Sequence, residues 1–203
     1  MLANPMDRLA ALNRPGASLK EKPHLEIGSD VEIAGRVRED LERAFGDIVH
    51  AEGAFWRYEK TCWCPIPDHE LRLAAHDYDG AFFKTPSGEP SGVKLSKSRI
   101  DSILHEMTTL LADPAFFATA PVGINCASGF IRFAADGTPS LDRHHRDHRC
   151  RHTLAGRWKP GPTTVPPAAS LLARLLSGVF AGDADADDKI RLLAEVAGSA
   201  ALG

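Results

Sequence analysis

A chain of 203 residues, 43% hydrophobic and 25% charged, can build one well-buried core or two small linked modules. Its formal charge of −3 excludes a strongly basic nucleic-acid wrapper, so any DNA contact has to come from a local patch. No run approaches the roughly 18 to 20 apolar residues that span a bilayer, and "MLANPMDRLAALNRPG" lacks the basic start and apolar core of a secretory signal.

A cytoplasmic protein without membrane contact is therefore expected, with its four cysteines kept as thiols. Residues 1–27 mix short apolar pieces with proline, glycine and charge and read as an irregular arm. Ser29 and Glu32 form a possible capping box, and Ile33, Val37, Leu41 and Ala44 recur at helical spacing, predicting a first helix that stops near Gly46. The period then changes. Ile48 to His50 and Phe55 to Tyr58 are strand candidates around Gly53, Thr61 to Cys64 adds a third, and Pro65 and Pro67 end it.

Asp68 is the expected N-cap of a helix with Leu71, Ala74, Ala75 and Tyr78 on one face, closed by Gly80. "KTPSGEPSGVKLSKS" reads as an exposed loop and as the internal boundary. Ser98 and Asp101 are expected to open the next helix, with Ile100, Ile103, Leu104, Met107 and Leu111 facing a core and Asp113-Pro114 ending it. In "PVGINCASGFIRFAADGTPSL", Val122, Ile124 and Cys126 lie two apart, Ser128-Gly129 offers a reversal, and Phe130 to Phe133 returns, giving two or three antiparallel strands. After a proline-rich connector, Leu171, Leu172, Leu175, Leu176 and Val179 form one helical stripe, and Ile190, Leu193, Val196 and Ala197 another. The acidic "DADADD" suits the start of that last helix.

Helices that do not alternate with strands point to an α+β fold, helices packed around a small antiparallel sheet with an irregular N-terminal arm. The expected segments are the arm at 1–27, a helix/strand/helix subdomain at 28–85, a linker at 86–97, and a helix, hairpin and helical region at 98–203.

The densest chemistry lies in "DRHHRDHRCRH", residues 142 to 152. His144, His148 and His152 recur every four residues and Cys150 is a soft donor, a pattern that suits Zn²⁺. Interleaved Arg143, Arg146, Arg149 and Arg151 oppose a cation, and "CWC" at 62 to 64 lies far upstream, so a solvated basic edge is the favoured reading and zinc the weaker one. Arginine forks also match phosphate oxygens, which makes these four arginines with His148 candidates for contact with DNA or a neighbouring subunit. Lys94, Lys97 and Arg99 form a second, short basic cluster and are further candidates for that contact. The aromatic and basic run Phe55, Trp56, Arg57, Tyr58, Lys60, Trp63 can stack bases but is better explained by strand packing. Nucleotide binding lacks its G-x-x-x-x-G-K-[ST] loop. Nucleophilic catalysis is equally unsupported: Ser128 is outside a G-x-S-x-G elbow, and Cys126 is expected to be buried and inert. No catalytic residue is assigned.

The order of features from "GINCASGFIRFAADGTPSLDRHHRDHRCRHTLAGRWKPG" to "LLARLLSGVFAGDADADDKIRLLAEVAGSAALG" resembles the region just upstream of the superfamily 3 helicase domain in phage, plasmid and poxvirus primase-helicases. The likeness runs over about residues 36–203. It rests on Asn125 to Gly129, on Arg157-Trp158-Lys159-Pro160, on Val179, Phe180, Gly182 and Asp183, on Val196, Gly198, Leu202 and Gly203, and on the earlier Trp56, Tyr58 and Trp63. Serine at 128 departs from the family's second asparagine. The resemblance implies a non-catalytic linker or collar in DNA replication, helping to organise a hexameric, ATP-driven translocase and contacting DNA through the full-length protein. Asn125, Gly129 and Gly198 would be its turn and structural residues. No cofactor is expected in this chain; ATP and Mg²⁺ would belong to the helicase domain, whose Walker A segment this sequence does not contain. The alternatives are a stand-alone DNA-binding or protein-interaction module and, third, a small zinc-containing enzyme using His144, His148 and Cys150.

Overall fold

The structure is a computed structural model that describes residues 23–159 and 170–202. It has the α+β architecture expected, helices packed around small antiparallel sheets. The chain divides into two compact units. One runs to Ala120 and takes in His145–His152; the other is Pro121–His144 with the residues from Thr153 onward.

Helix α1 (Asp30–Phe45) opens the first unit as its cap predicts. Ser29 Oγ accepts the Glu32 amide at 3.2 Å, and the Glu32 carboxylate accepts the amides of Glu26, Ile27 and Gly28 at 2.6–2.9 Å. The apolar stripe Ile33, Ala34, Val37 and Leu41 is buried against α3 (Lys97–Leu110), which contributes Ile100, Ile103, Leu104 and Met107. Each such side chain contributes about 1.5–3 kcal/mol on leaving water. Helix α2 (Asp68–His76) completes the layer through Leu71, Ala74 and Ala75.

Two helix starts differ from expectation. The N-cap of α3 is Ser96, whose Oγ accepts from the Arg99 amide, so Ser98 already lies inside the helix. The N-cap of α2 is Pro67, which has no capping bond; Asp68 begins the helix and its carboxylate is taken by Arg72 one turn on, at 2.6 Å. The loop after α2 contains a hairpin that alternation did not reveal, β4 (Phe82–Lys84) with β5 (Pro90–Gly92). Arg99 donates to the Asp30 carboxylate at 2.8 Å and to the Gly28 carbonyl, joining α3 to the start of α1. Residues 86–97, expected as the boundary, therefore lie within the first unit.

The predicted strands fold as a meander, β1 (Ile48–Ala51), β2 (Ala54–Glu59) and β3 (Cys62–Pro65), with β2 in the middle. Glu52 and Gly53 at the first reversal both have positive φ, 49° and 77°, the geometry of a primed two-residue turn. Alternation sends Ile48 and Phe55 to the helices, while Val49, Ala51 and Trp63 face the other way, onto Phe117. Arg57 also points to the helix side, where it meets Glu70 at 2.5 Å and Glu59 at 2.6 Å and lies over the Phe45 ring.

In the second unit β6 (Gly123–Cys126), β7 (Gly129–Phe133) and β8 (Pro139–Asp142) form an antiparallel sheet in that order. Val122 is exposed just outside β6. Helices α4 (Leu171–Val179) and α5 (Ala186–Leu202) follow, with Ser170 capping α4 through the Ala173 amide. Their apolar stripes are real but uncovered: Leu171, Leu175, Val179 and Val196 are all more than half exposed.

Candidate functional site

The histidine–arginine strip is divided between the two units. Asp142 ends β8 and receives Arg132 at 2.8 Å, and Nδ1 of His144 lies 3.0 Å from the Asn125 side-chain oxygen, both within the second unit. His145–His152 belongs to the first. There Arg146–His148 forms a single 3₁₀ turn, and Arg149 leaves it in the left-handed region at φ 52°.

This segment lies along β3, the edge strand of the meander. The Trp63 amide donates to the Cys150 carbonyl at 2.7 Å, and the Trp63 indole donates to the Arg146 carbonyl at 2.9 Å. A strand edge that would otherwise present bare amides is thereby covered. The arginines then take partners from the sheet's outer side. Arg146 pairs with Asp47, and Arg151 with Glu52 at 2.7 Å, each a partner 99 residues away. Arg149 donates to the Phe116 carbonyl at 3.0 Å and to the Thr119 hydroxyl while its guanidinium lies 4.7 Å from the Phe116 ring centre; Arg151 lies 5.3 Å from that of Phe117. Stacked guanidinium planes add attraction to the rings, whereas the exposed ion pairs contribute only about 0–1 kcal/mol each. Asp47 and Glu52 thus answer the charges of Arg146 and Arg151, while Asp147 lies 3.3 Å from Nδ1 of His145.

The other predicted residues fall elsewhere. His148 is buried in the 3₁₀ turn, while Arg143 and His152 are exposed. Lys94 and Lys97 are exposed near the start of α3, apart from Arg99, which is committed to α1. Asn125 is 6% exposed and holds Thr153 Oγ1 at 2.9 Å as well as His144. Gly129 has φ 149°, and a Cβ there would sit 2.2 Å from the Asp142 carbonyl oxygen, so only glycine fits. A Cβ on Gly198 would meet open space. Pro160, the last residue of "RWKP", lies outside the described residues; Trp158 donates its amide to Ser128 Oγ at 3.0 Å.

Among the described residues no group of three or more His, Cys, Asp and Glu side chains is arranged to hold a metal ion. His144 faces Asn125, and Cys150 donates to the His148 carbonyl at 3.4 Å, so the spacing of 144, 148, 150 and 152 does not translate into convergence. Burial and the neighbouring Cys62 push the Cys150 thiol up to about 11. Cys126 is buried as expected; burial alone would raise its pKa, but hydrogen bonds from Ser128 and from the Ser128, Trp158 and Gly129 backbone outweigh that and lower it.

Sequence reasoning missed the partners that position the strip: Asp47, Glu52, Phe116 and Phe117. "PAFF" after the third predicted helix was a signal for a buried aromatic pair, but nothing local marks a carboxylate whose arginine lies 99 residues on. It also missed a groove of about 480 Å³ between the β1–β2 turn, α2 and α3, floored by Phe55, Leu71 and Leu104 and rimmed by His50, Arg72 and His105. Burial lowers the pKa of His50 below the ordinary imidazole value. Arg72 there is held between Asp68 and Asp101 at 2.6 and 2.8 Å. No helix among the described residues is long and apolar enough to cross a membrane. No protein-family model and no curated protein matches the chain.

Proposed function

We propose that the chain is a non-catalytic region of a phage- or plasmid-type DNA primase-helicase, linking or organising an ATP-driven helicase during DNA replication. The observation that carries this reading is the use made of the motif residues. Asn125 holds His144 and Thr153, Gly129 admits the Asp142 carbonyl, and the arginines brace a sheet edge. Each serves as scaffold, which suits a region that positions other machinery. The exposed leucines of α4 and α5 add support, because a linker or collar works against further protein surface.

ATP and Mg²⁺ belong in this proposal to the helicase domain, and DNA is reached through the full-length protein, with a hexamer as the working assembly. Those apolar stripes also favour a second reading, a stand-alone protein-interaction module. Light scattering separates the two. The chain extended by the codons that follow it in its gene is expected to assemble as six copies and to hydrolyse ATP, while the chain alone hydrolyses none. An extension that contains no phosphate loop, with unchanged mass, would favour the stand-alone module.

A further inference from the structure

Two of the four cysteines face each other on one short strand. Cys62 and Cys64 lie opposite Glu59 and Arg57 of β2, on the side of β3 away from the Trp63 ring, and their sulfurs stand 3.9 Å apart. Residues two apart in a strand are spaced by about 6.6 Å, so sulfurs this close have turned toward one another rather than straight out from the sheet. Both side chains are half-buried, with solvent still reaching them. Trp63, the residue between them, fastens the strip: its amide donates to the Cys150 carbonyl at 2.7 Å and its indole to the Arg146 carbonyl at 2.9 Å.

We infer that Cys62 and Cys64 are a modification site, a dithiol that a small-molecule disulfide of the glutathione class closes reversibly, and that closure loosens the strip from β3. The Cys62 sulfur, its proton lost to solvent, attacks one sulfur of the small disulfide. The reagent's S–S bond breaks, one thiolate leaves, and a mixed disulfide remains on Cys62. The Cys64 sulfur then gives up its proton and displaces the second thiolate. The protein has lost two electrons and two protons, and the reagent has been reduced to two thiols. Burial and the neighbouring Cys62 push the Cys64 thiol up to about 11, so its attack relies on having the mixed disulfide held beside it. A disulfide prefers Cα atoms about 5.5–6 Å apart, against about 6.6 Å in the strand, so closure shortens β3 at Trp63. That contraction draws the Trp63 amide off the Cys150 carbonyl.

The reduced full chain is incubated with oxidised glutathione at mildly alkaline pH, quenched by alkylation and digested with trypsin, which leaves both thiols on the one peptide from Thr61 to Arg72. A form of that peptide two hydrogens lighter than the dithiol, free of glutathione and alkyl groups, is expected to appear at least about tenfold faster than a glutathione adduct at Cys126, which is 4% exposed; dithiothreitol should reverse it. In the oxidised chain, hydrogen exchange at the Trp63 amide should run about tenfold faster than in the reduced chain. The Cys62→Ser/Cys64→Ser variant, treated alike, should show no change in that exchange. Glutathione adducts at Cys62 or Cys64 without the internal bond, a pair that stays reduced while Cys126 reacts, equal exchange in the two forms of the unaltered chain, or a change in the variant would overturn the inference.

Discussion

At Gly129 the backbone runs at φ 149° with the Asp142 carbonyl oxygen where a side chain would begin. Gly129→Ala must therefore both strain the backbone and push β7 from β8, at a cost of about 3 kcal/mol. A urea titration of the variant is expected to lose that much, while Gly198→Ala, in open space on α5, should be neutral or slightly stabilising. The buried pair Arg57–Glu70 is the other point where a single atom matters, with the two residues 8% and 5% exposed. Glu70→Ala leaves a buried guanidinium with Glu59 as its remaining carboxylate partner and the Phe45 ring beneath it, costing about 3–5 kcal/mol by the same titration. A loss below about 1 kcal/mol would mean that Arg57 swings out to water. At this scale the sequence was legible where a residue's own backbone need was the signal, as at Gly129 and Ser29. It was not legible where a side chain's partner comes from another element, as with Arg57, whose position in an aromatic run said nothing of Glu70.

The helices and strands were legible by period, and the misplaced starts have local causes. Two serines two residues apart can each cap α3, and the one whose hydroxyl meets the Arg99 amide, Ser96, begins it. At α1 the cap makes a pH prediction. Burial alone would raise the Glu32 pKa, but three backbone amides outweigh it and hold it below the ordinary value. A depressed carboxyl contributes stability above its unfolded pKa of about 4.3 and loses it as pH falls through the folded value. Urea midpoints taken from about pH 6 to pH 3 should fall more steeply for the natural chain than for Glu32→Gln; parallel curves would remove Glu32 from the cap.

The strip at 142–152 is also an element, and its meaning changes with its neighbours. Read alone it offers four arginines to phosphate. In place, Asp47 and Glu52 answer Arg146 and Arg151, and Phe116 carries Arg149. Replacing Arg146, Arg149 and Arg151 together by alanine is expected to lower stability by about 1–3 kcal/mol. DNA binding by the chain alone should keep its salt slope to within about one unit, whereas a slope smaller by about three would return the strip to phosphate contact.

Across the whole molecule the α+β class followed from helices and strands that do not alternate regularly, and the structure has it. The division into units did not follow, because a loop rich in proline and glycine looks like a boundary whether or not the helix beyond it packs back onto α1, as α3 does. Nor could chain order reveal that His145–His152 returns to the first unit. The stripes on α4 and α5 lie on their helices as expected and are largely exposed, and under the proposed function they are the surfaces on which a linker would act. Leu175→Glu, at a position 61% exposed, should leave folding intact and lower any self-association seen by sedimentation. The most direct test of the proposed function is the native protein, recovered from its cells with an antibody and identified by mass spectrometry together with whatever accompanies it. The account predicts peptides of a G-x-x-x-x-G-K-[ST] ATPase, either in the same polypeptide beyond Gly203 or in a tightly bound partner; a polypeptide that stops at Gly203 and comes down with no ATPase would contradict it.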